Sequence, residues 1–189
     1  MPRKKMTGRD ALLRAAHDSF AKDGYERVGV ARILELAKVQ APTLYHHFGD
    51  KEGLYVEWAT SALLTTEGRL TPLNDAALPI SAALQAIALN LIRLDFDLRQ
   101  LLFDSERLTR PASREKVLSG YFQAVYSPLY TILSRGQARG EVRSDSLNAL
   151  AETFVGGALA QHRAGRAADG AQDAAAWWTR LFMEGAAPR

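Results

Sequence analysis

The chain has 189 residues, 47% hydrophobic and 24% charged, with a net charge of +3 and no cysteine. That is the composition of a globular chain with a core, and it excludes disulfides, thiol catalysis and cysteine-ligated zinc. No uninterrupted run of about 18 apolar residues is available to span a membrane, and the basic start MPRKKMTGRDALL lacks the apolar stretch of a signal peptide; a cytoplasmic location is expected.

Charge is unevenly placed. Residues 1–51 carry ten Lys/Arg against six Asp/Glu, and residues 52–189 carry fourteen against fifteen. A basic head on a near-neutral body suggests contact with a polyanion. Arg3, Lys4 and Lys5 read either as a solvated arm or as a groove contact, and raise affinity for a polyanion in both cases.

Helical periodicity runs through nearly the whole chain, without alternating Val/Ile/Thr runs or Asn-Gly hairpin turns. Thr7 and Asp10 form a capping-box pattern, followed by Leu13, Ala16 and Phe20 at helical spacing. Gly24 is expected to stop that helix in a left-handed conformation, with Tyr25 folding back onto its last turn. Gly29 opens a short helix over 30–37 with Ile33, Leu34 and Ala37 inward. A tight turn at Lys38-Val39 leads to a second short helix over 41–47, ended by Phe48-Gly49. Asp50 then caps a longer helix reaching residue 70. TPLNDAALP (71–79) reads as a linker. Residues 80–97 are apolar almost all round and predict a buried central helix. A short helix at 98–108 follows, then a long one from Ser113 to Gln137. In it Leu118, Tyr121, Phe122, Val125, Leu129 and Ile132 point inward, and Pro128 imposes a bend. A turn at 138–145, helices over 146–163 and 173–185, and a mobile Gly/Ala-rich loop at 164–173 complete the chain.

Two short helices joined by a three- to four-residue turn have the spacing of a helix-turn-helix, whose second helix lies in the major groove. The residues suit that task. Gln40 can donate and accept at an adenine edge. Ala41 and Pro42 are short enough for close approach, and Pro42 costs little in a first turn. Thr43 offers a hydroxyl and a methyl. Tyr45 and His46 have polar tips for phosphates, whereas Leu44 and Phe48 face the core. Lys51 places a charge beside free backbone N–H groups at a helix start.

Residues 8–58, and PTLYHHFGDKEGL (42–54) above all, resemble the DNA-binding domain of the tetracycline-repressor (TetR) family. The resemblance implies an all-α homodimeric regulator of about nine helices. Residues 1–51 would form a three-helix DNA-binding domain and residues 52–189 a helical effector-binding and dimerisation domain, with helix 51–70 connecting the two. It carries DNA contact to Gln40, Ala41, Pro42, Thr43, Tyr45, His46 and Lys51. Three positions depart from the family pattern. Gly29 replaces a hydroxyl cap, Lys38 replaces the glycine of the turn at a cost in backbone energy, and Ala31 cannot read a base. Arg32 beside it faces phosphate or solvent.

His46 and His47 do not make a metal pair, because adjacent helical residues point about 100° apart. As acid–base groups they lack a nucleophile and a pocket. His47 is expected either to pack near Leu44 or to be capped by polar groups. No metal, cofactor or enzymatic activity is expected.

In the body, Asn90, Arg93, Phe96, Phe103, Tyr121, Phe122, Tyr126 and Tyr130 are candidates for the wall of an effector pocket. For each taken singly an ordinary core position is the favoured reading, and the existence of a cavity rests on the resemblance. Phe154, Gly157, Ala158, His162, Trp177, Trp178, Leu181 and Phe182 form an apolar band expected at a two-fold interface between copies. The reading that emerges is a ligand-responsive repressor, released from a palindromic operator by an apolar or aromatic effector. The rival is a helical ligand-binding or interaction protein that has lost DNA binding, kept open by Gly29, Ala31 and Lys38.

Overall fold

The computed structural model describes residues 7–163 and 170–187. Arg3, Lys4 and Lys5, and the loop residues 164–169, lie outside the described residues. Among those described, every regular element is helical, as expected of an all-α chain. The helices are α1 (Gly8–Arg27), α2 (Val30–Ala37), α3 (Ala41–Phe48), α4 (Lys51–Leu70), α5 (Ile80–Ile92), α6 (Leu98–Ser105), α7 (Pro111–Tyr121), α8 (Ser127–Ala138), α9 (Leu147–Arg163) and α10 (Ala171–Ala186). A π turn at Phe122–Tyr126 joins α7 to α8. The helices pack as two compact units, one holding the residues up to Ala62 with Phe96–Ser119, the other Leu63–Asp95 with the residues from Gly120 onward.

In the first unit, Thr7 caps α1 as its sequence predicts. The Asp10 N–H donates to the Thr7 hydroxyl at 3.2 Å, and the Asp10 carboxylate accepts from the Thr7 N–H at 3.3 Å. Leu12, Ala16 and Phe20 form the buried face. Gly24 does not stop the helix in the left-handed α region. At φ 76° and ψ 173° it kinks the chain, and the last turn continues to Arg27. Only glycine suits the position: its φ is positive, and a Cβ there would stand 2.8 Å from the Gln100 amide nitrogen. The kink aims the Tyr25 N–H at the Asp104 carboxylate, 2.7 Å away. It also swings the Tyr25 ring to 6.2 Å from Phe20 and 4.9 Å from Tyr55. Trp58 joins this aromatic core at 5.3 Å from Tyr55 and 6.2 Å from Phe96, and its indole N–H donates to His17 Nδ1. Burial of each such ring stabilises the unit by about 1.5–3 kcal/mol.

In the second unit α5 is the central helix, packed against α8, α9 and α10. It ends at Ile92, short of the expected residue 97. Asp97, expected inside that helix, instead caps α6: its carboxylate accepts the Arg99 and Gln100 N–H groups at 2.8 and 3.2 Å. The 71–79 segment starts as a 3-10 turn, Thr71–Asn74. It is strapped down by the Arg135 guanidinium, which donates to the carbonyls of Asn74, Asp75 and Leu78. The bend expected from Pro128 takes the form of the π turn. Proline has no N–H to give the carbonyl four residues back, and the Ser127 N–H reaches five residues back to Phe122. Val125, Leu129 and Ile132 are buried as expected, but Leu118 and Phe122 are 41% and 44% exposed.

Candidate nucleic-acid interface

Helix α2 starts at Gly29 without a side-chain cap, and its Ile33 is fully buried. The turn after it depends on Lys38, which adopts φ 54° and ψ 42°, the left-handed conformation that costs a side-chain-bearing residue about 1 kcal/mol. The cost is offset in part because the turn is closed: the Lys38 N–H donates to Glu35 O and the Val39 N–H to Leu34 O, each at 3.2 Å. Gln40 is the N-cap residue of α3, yet its carboxamide makes no capping bond and stays exposed. Leu44 is fully buried and anchors the helix, while the Thr43 methyl rests where Gly8 leaves room on α1: a Cβ on Gly8 would stand 2.9 Å from it. This fixes the outward face. Gln40, Pro42, Tyr45 and His46 are exposed, Tyr45 by 55%, and Ala41 and Thr43 are half-buried between them.

His47 is exposed rather than packed near Leu44. Its ring lies 5.0 Å from that of His46 and 6.1 Å from Phe48. Arg32 is turned back to Asp23 at 2.7 Å. Phe48 is half-buried, with the Arg9 guanidinium 5.7 Å over its ring.

The start of α4 holds more chemistry than a cap. Asp50 does cap it, accepting the Gly53 N–H at 2.7 Å. The same carboxylate takes both terminal nitrogens of Arg110, at 2.8 and 2.9 Å. Arg110 Nε donates at 3.0 Å to Glu52, which is buried and also accepts the Thr109 hydroxyl and the Thr109 and Arg110 N–H groups. Burial pushes the Glu52 carboxyl up, but these donors outweigh it and hold it at about 2. Burial acts on Asp50 in the same sense, and the bonds from Arg110 and Gly53 bring it below its ordinary value. Lys51 points elsewhere. Its ammonium lies 4.3 Å over the Tyr25 ring, where burial lowers its pKa. Sequence reasoning missed Arg110. The charge triplet Asp50-Lys51-Glu52 is visible, but nothing local joins it to a residue 60 positions on.

Residues 12–58 match the family described as "Bacterial regulatory proteins, tetR family". Over 172 residues, 88% of each chain, the protein is 27% identical to the HTH-type transcriptional repressor AcnR of Corynebacterium efficiens. Its N-terminal segment is thus similar to the DNA-binding segment of TetR-family regulators. Two solved structures share the chain's fold. The TetR-family regulator PfmR of Thermus thermophilus superposes with a TM-score of 0.80 at 22% identity, covering 97% of this chain and 98% of its own. FadR of Bacillus subtilis, solved in complex with stearoyl-CoA, gives 0.72 at 18%, covering 93% and 97%.

The eight pocket candidates are divided between the two units. Phe96 is sealed in the first unit's core, and Phe103, in the same unit, is 51% exposed beneath the Arg107 guanidinium. In the second unit Arg93 is exposed, and Asn90 spends its amide on Ala86 O in its own helix. The remaining four form an aromatic ladder along the π turn. Tyr121 lies 5.4 Å from Tyr126, Phe122 stacks on Tyr126 at 6.1 Å, and Tyr130 stands 5.8 Å from Tyr126 with its hydroxyl on Asn148. Tyr130 and Asn148 also border an open depression of about 670 Å³.

The interface candidates divide similarly. Phe154, Ala158 and Phe182 are buried within the chain itself, and His162 Nδ1 lies 3.0 Å from Ile92 O. Trp178 covers Gly157, and its indole N–H donates to Phe154 O at 3.0 Å. Trp177 and Leu181 remain outside, 45% and 47% exposed. No helix of the described residues is long and apolar enough to cross a membrane, and no group of three or more His, Asp or Glu among them can hold a metal ion.

Proposed function

We propose that the protein is a homodimeric repressor that binds a palindromic operator through α3 and is released by a small apolar or aromatic effector. The carrying observation is the exposed row of Gln40, Pro42, Tyr45 and His46 on a helix pinned from behind by Leu44. In this reading Gln40 reads a base edge, Ala41, Pro42 and Thr43 allow close approach, and Tyr45 and His46 meet phosphates. Residues 1–51 are the reading part and residues 52–189 the effector and dimerisation part, with α4 connecting them. The repressor description of the Corynebacterium relative supports the sign of regulation, and the stearoyl-CoA held by the Bacillus neighbour supports an effector with a long apolar portion. The ladder of Tyr121, Phe122, Tyr126 and Tyr130 is the surface offered to it, and Trp177 and Leu181 are the residues offered to a second copy. Two heads on one face of DNA would stand roughly 34–36 Å apart.

A gel shift with the DNA upstream of the protein's own coding sequence tests this. Wild-type protein retards the fragment, and a long-chain acyl-CoA or a small aromatic compound releases it. Tyr45→Phe weakens binding to all sequences, and Gln40→Ala mainly relaxes sequence choice. Absence of any retardation favours the rival reading of a regulator-like chain without DNA binding. The Lys51 ammonium resting on Tyr25, rather than pointing outward, speaks for that rival.

A further inference from the structure

Asp50 stands two residues beyond the end of α3 with its side chain 48% exposed, and Glu52 follows on the first turn of α4. A DNA-reading head that ends in two carboxylates would repel the phosphate backbone it has to approach. The cation adjacent in sequence does not offset them, because Lys51 lies over Tyr25. The offset comes from Arg110. Its side chain is also 48% exposed, and it grips both oxygens of Asp50 while its Nε holds Glu52.

We propose that Arg110 is a positioning residue for DNA binding, its guanidinium cancelling the charge of Asp50 beside α3. The proposal rests on the DNA-reading function above and adds to it a residue outside the helix-turn-helix. The arrangement suits a charge role better than a tether alone. A bidentate guanidinium–carboxylate pair fixes where the positive charge sits as well as holding it close. Glu52, moreover, is held independently by Thr109 and the Arg110 backbone N–H, so the α4 start does not need the guanidinium to stay tied. What the guanidinium uniquely supplies is positive charge at Asp50. The local sum over Asp50, Glu52 and Arg110 is −1 in the wild type, −2 in Arg110→Gln, 0 in Asp50→Asn and −1 again in the double variant.

The test measures binding to a random-sequence duplex of about 20 bp by fluorescence anisotropy at two salt concentrations, because a charge effect acts on all sequences alike. Arg110→Gln is expected to weaken low-salt binding roughly tenfold, with a smaller loss at high salt. Asp50→Asn, which still caps a helix, binds at least as tightly as wild type, and Asp50→Asn in the Arg110→Gln background restores most of the loss. Arg110→Lys keeps the charge and stays near wild type. A purely mechanical role predicts no rescue by Asp50→Asn and a defect in Arg110→Lys, and that pattern overturns the proposal. So does an Arg110→Gln protein that binds like wild type. If Arg110→Gln fails to fold, Asp50→Asn alone decides: a tenfold loss there also overturns it. Wild-type protein that binds no duplex at low salt removes the DNA-reading function itself, a different failure from a wild type that binds while the variants are indifferent.

Discussion

The two compact units are closed by different chemistry. In the first, the ties between distant segments are polar and charged. Glu52 gathers the Thr109–Arg110 corner and Asp104 takes the Tyr25 N–H, both carboxylates being almost wholly buried. In the second, α5, α9 and α10 are joined by shape, and the long-range Arg135 ties go to backbone carbonyls rather than to carboxylates. Seven apolar residues of α5 are buried against its neighbours, and Trp178 lies on the bare backbone of Gly157. The first unit should therefore respond to pH and to the loss of a single acceptor. The second should respond to added volume and be indifferent to pH.

The largest expected effect tests the second unit. A Cβ on Gly157 would lie 2.2 Å from the Trp178 ring, so Gly157→Ala must displace a large rigid side chain and break its bond to Phe154 O. About 3 kcal/mol of stability should be lost. The neighbouring Gly156 has open space where its Cβ would be, so Gly156→Ala should instead gain up to about 1 kcal/mol from helix propensity. Urea melts of the pair check both. Equal effects would mean that Trp178 does not rest on Gly157.

Next in size, Glu52→Gln should cost about 2 kcal/mol at pH 7, because an amide nitrogen then faces donors that need acceptors. The pH dependence has a definite sign. The folded pKa of Glu52, about 2, lies below its ordinary 4.5. Its stabilisation is complete above about pH 4.5 and is lost as pH falls through about 2. The gap between wild type and Glu52→Gln should narrow over that window. Asp104 gives the opposite slope at smaller amplitude. Burial raises its pKa against the Tyr25 and Gln100 bonds that lower it, so its charged form is the less welcome one in the fold. Asp104→Asn, which keeps an acceptor for the Tyr25 N–H, should be close to neutral at pH 7. Wild type should gain on it as pH falls from neutral towards the ordinary carboxylate range. Parallel slopes for the two variants would break the assignment of opposite roles to two buried acids of one unit.

What could be read from the sequence follows the same line between near and far. The Thr7–Asp10 box, Gly29, Pro42 in the first turn of α3 and the Asp50 cap are each settled within four residues, and each stands where the pattern put it. The Arg110 grip, the Trp178–Gly157 contact and the Asp97 cap that opens α6 depend on which segments meet or which of two helices wins a boundary. Periodicity carries neither kind of information. Gly157 reads from the sequence as part of an apolar band, but nothing in that pattern says that the chain's own Trp178 lies over it. For the candidate interface, the outward residues of α3 were legible because Leu44 fixes the helix phase. The direction of Lys51 was not, because Tyr25 reaches it only through the kink at Gly24.

The smallest predicted effect concerns strain inside the reading head. Lys38 is the one residue other than glycine with positive φ among those described, and it sits in the turn that sets the angle between α2 and α3. Relieving it with Lys38→Gly removes the clash of Cβ with the backbone but adds freedom to the unfolded chain, so the net gain should be at most about 0.5 kcal/mol. Lys38→Ala keeps the Cβ and the strain and should leave stability unchanged, which separates backbone relief from loss of the lysine charge. A rise in Tm of about one or two degrees for glycine alone fits a polar, locally strained first unit. Equal shifts for glycine and alanine would place the effect in the ammonium group and return the turn to the unstrained regions of the molecule.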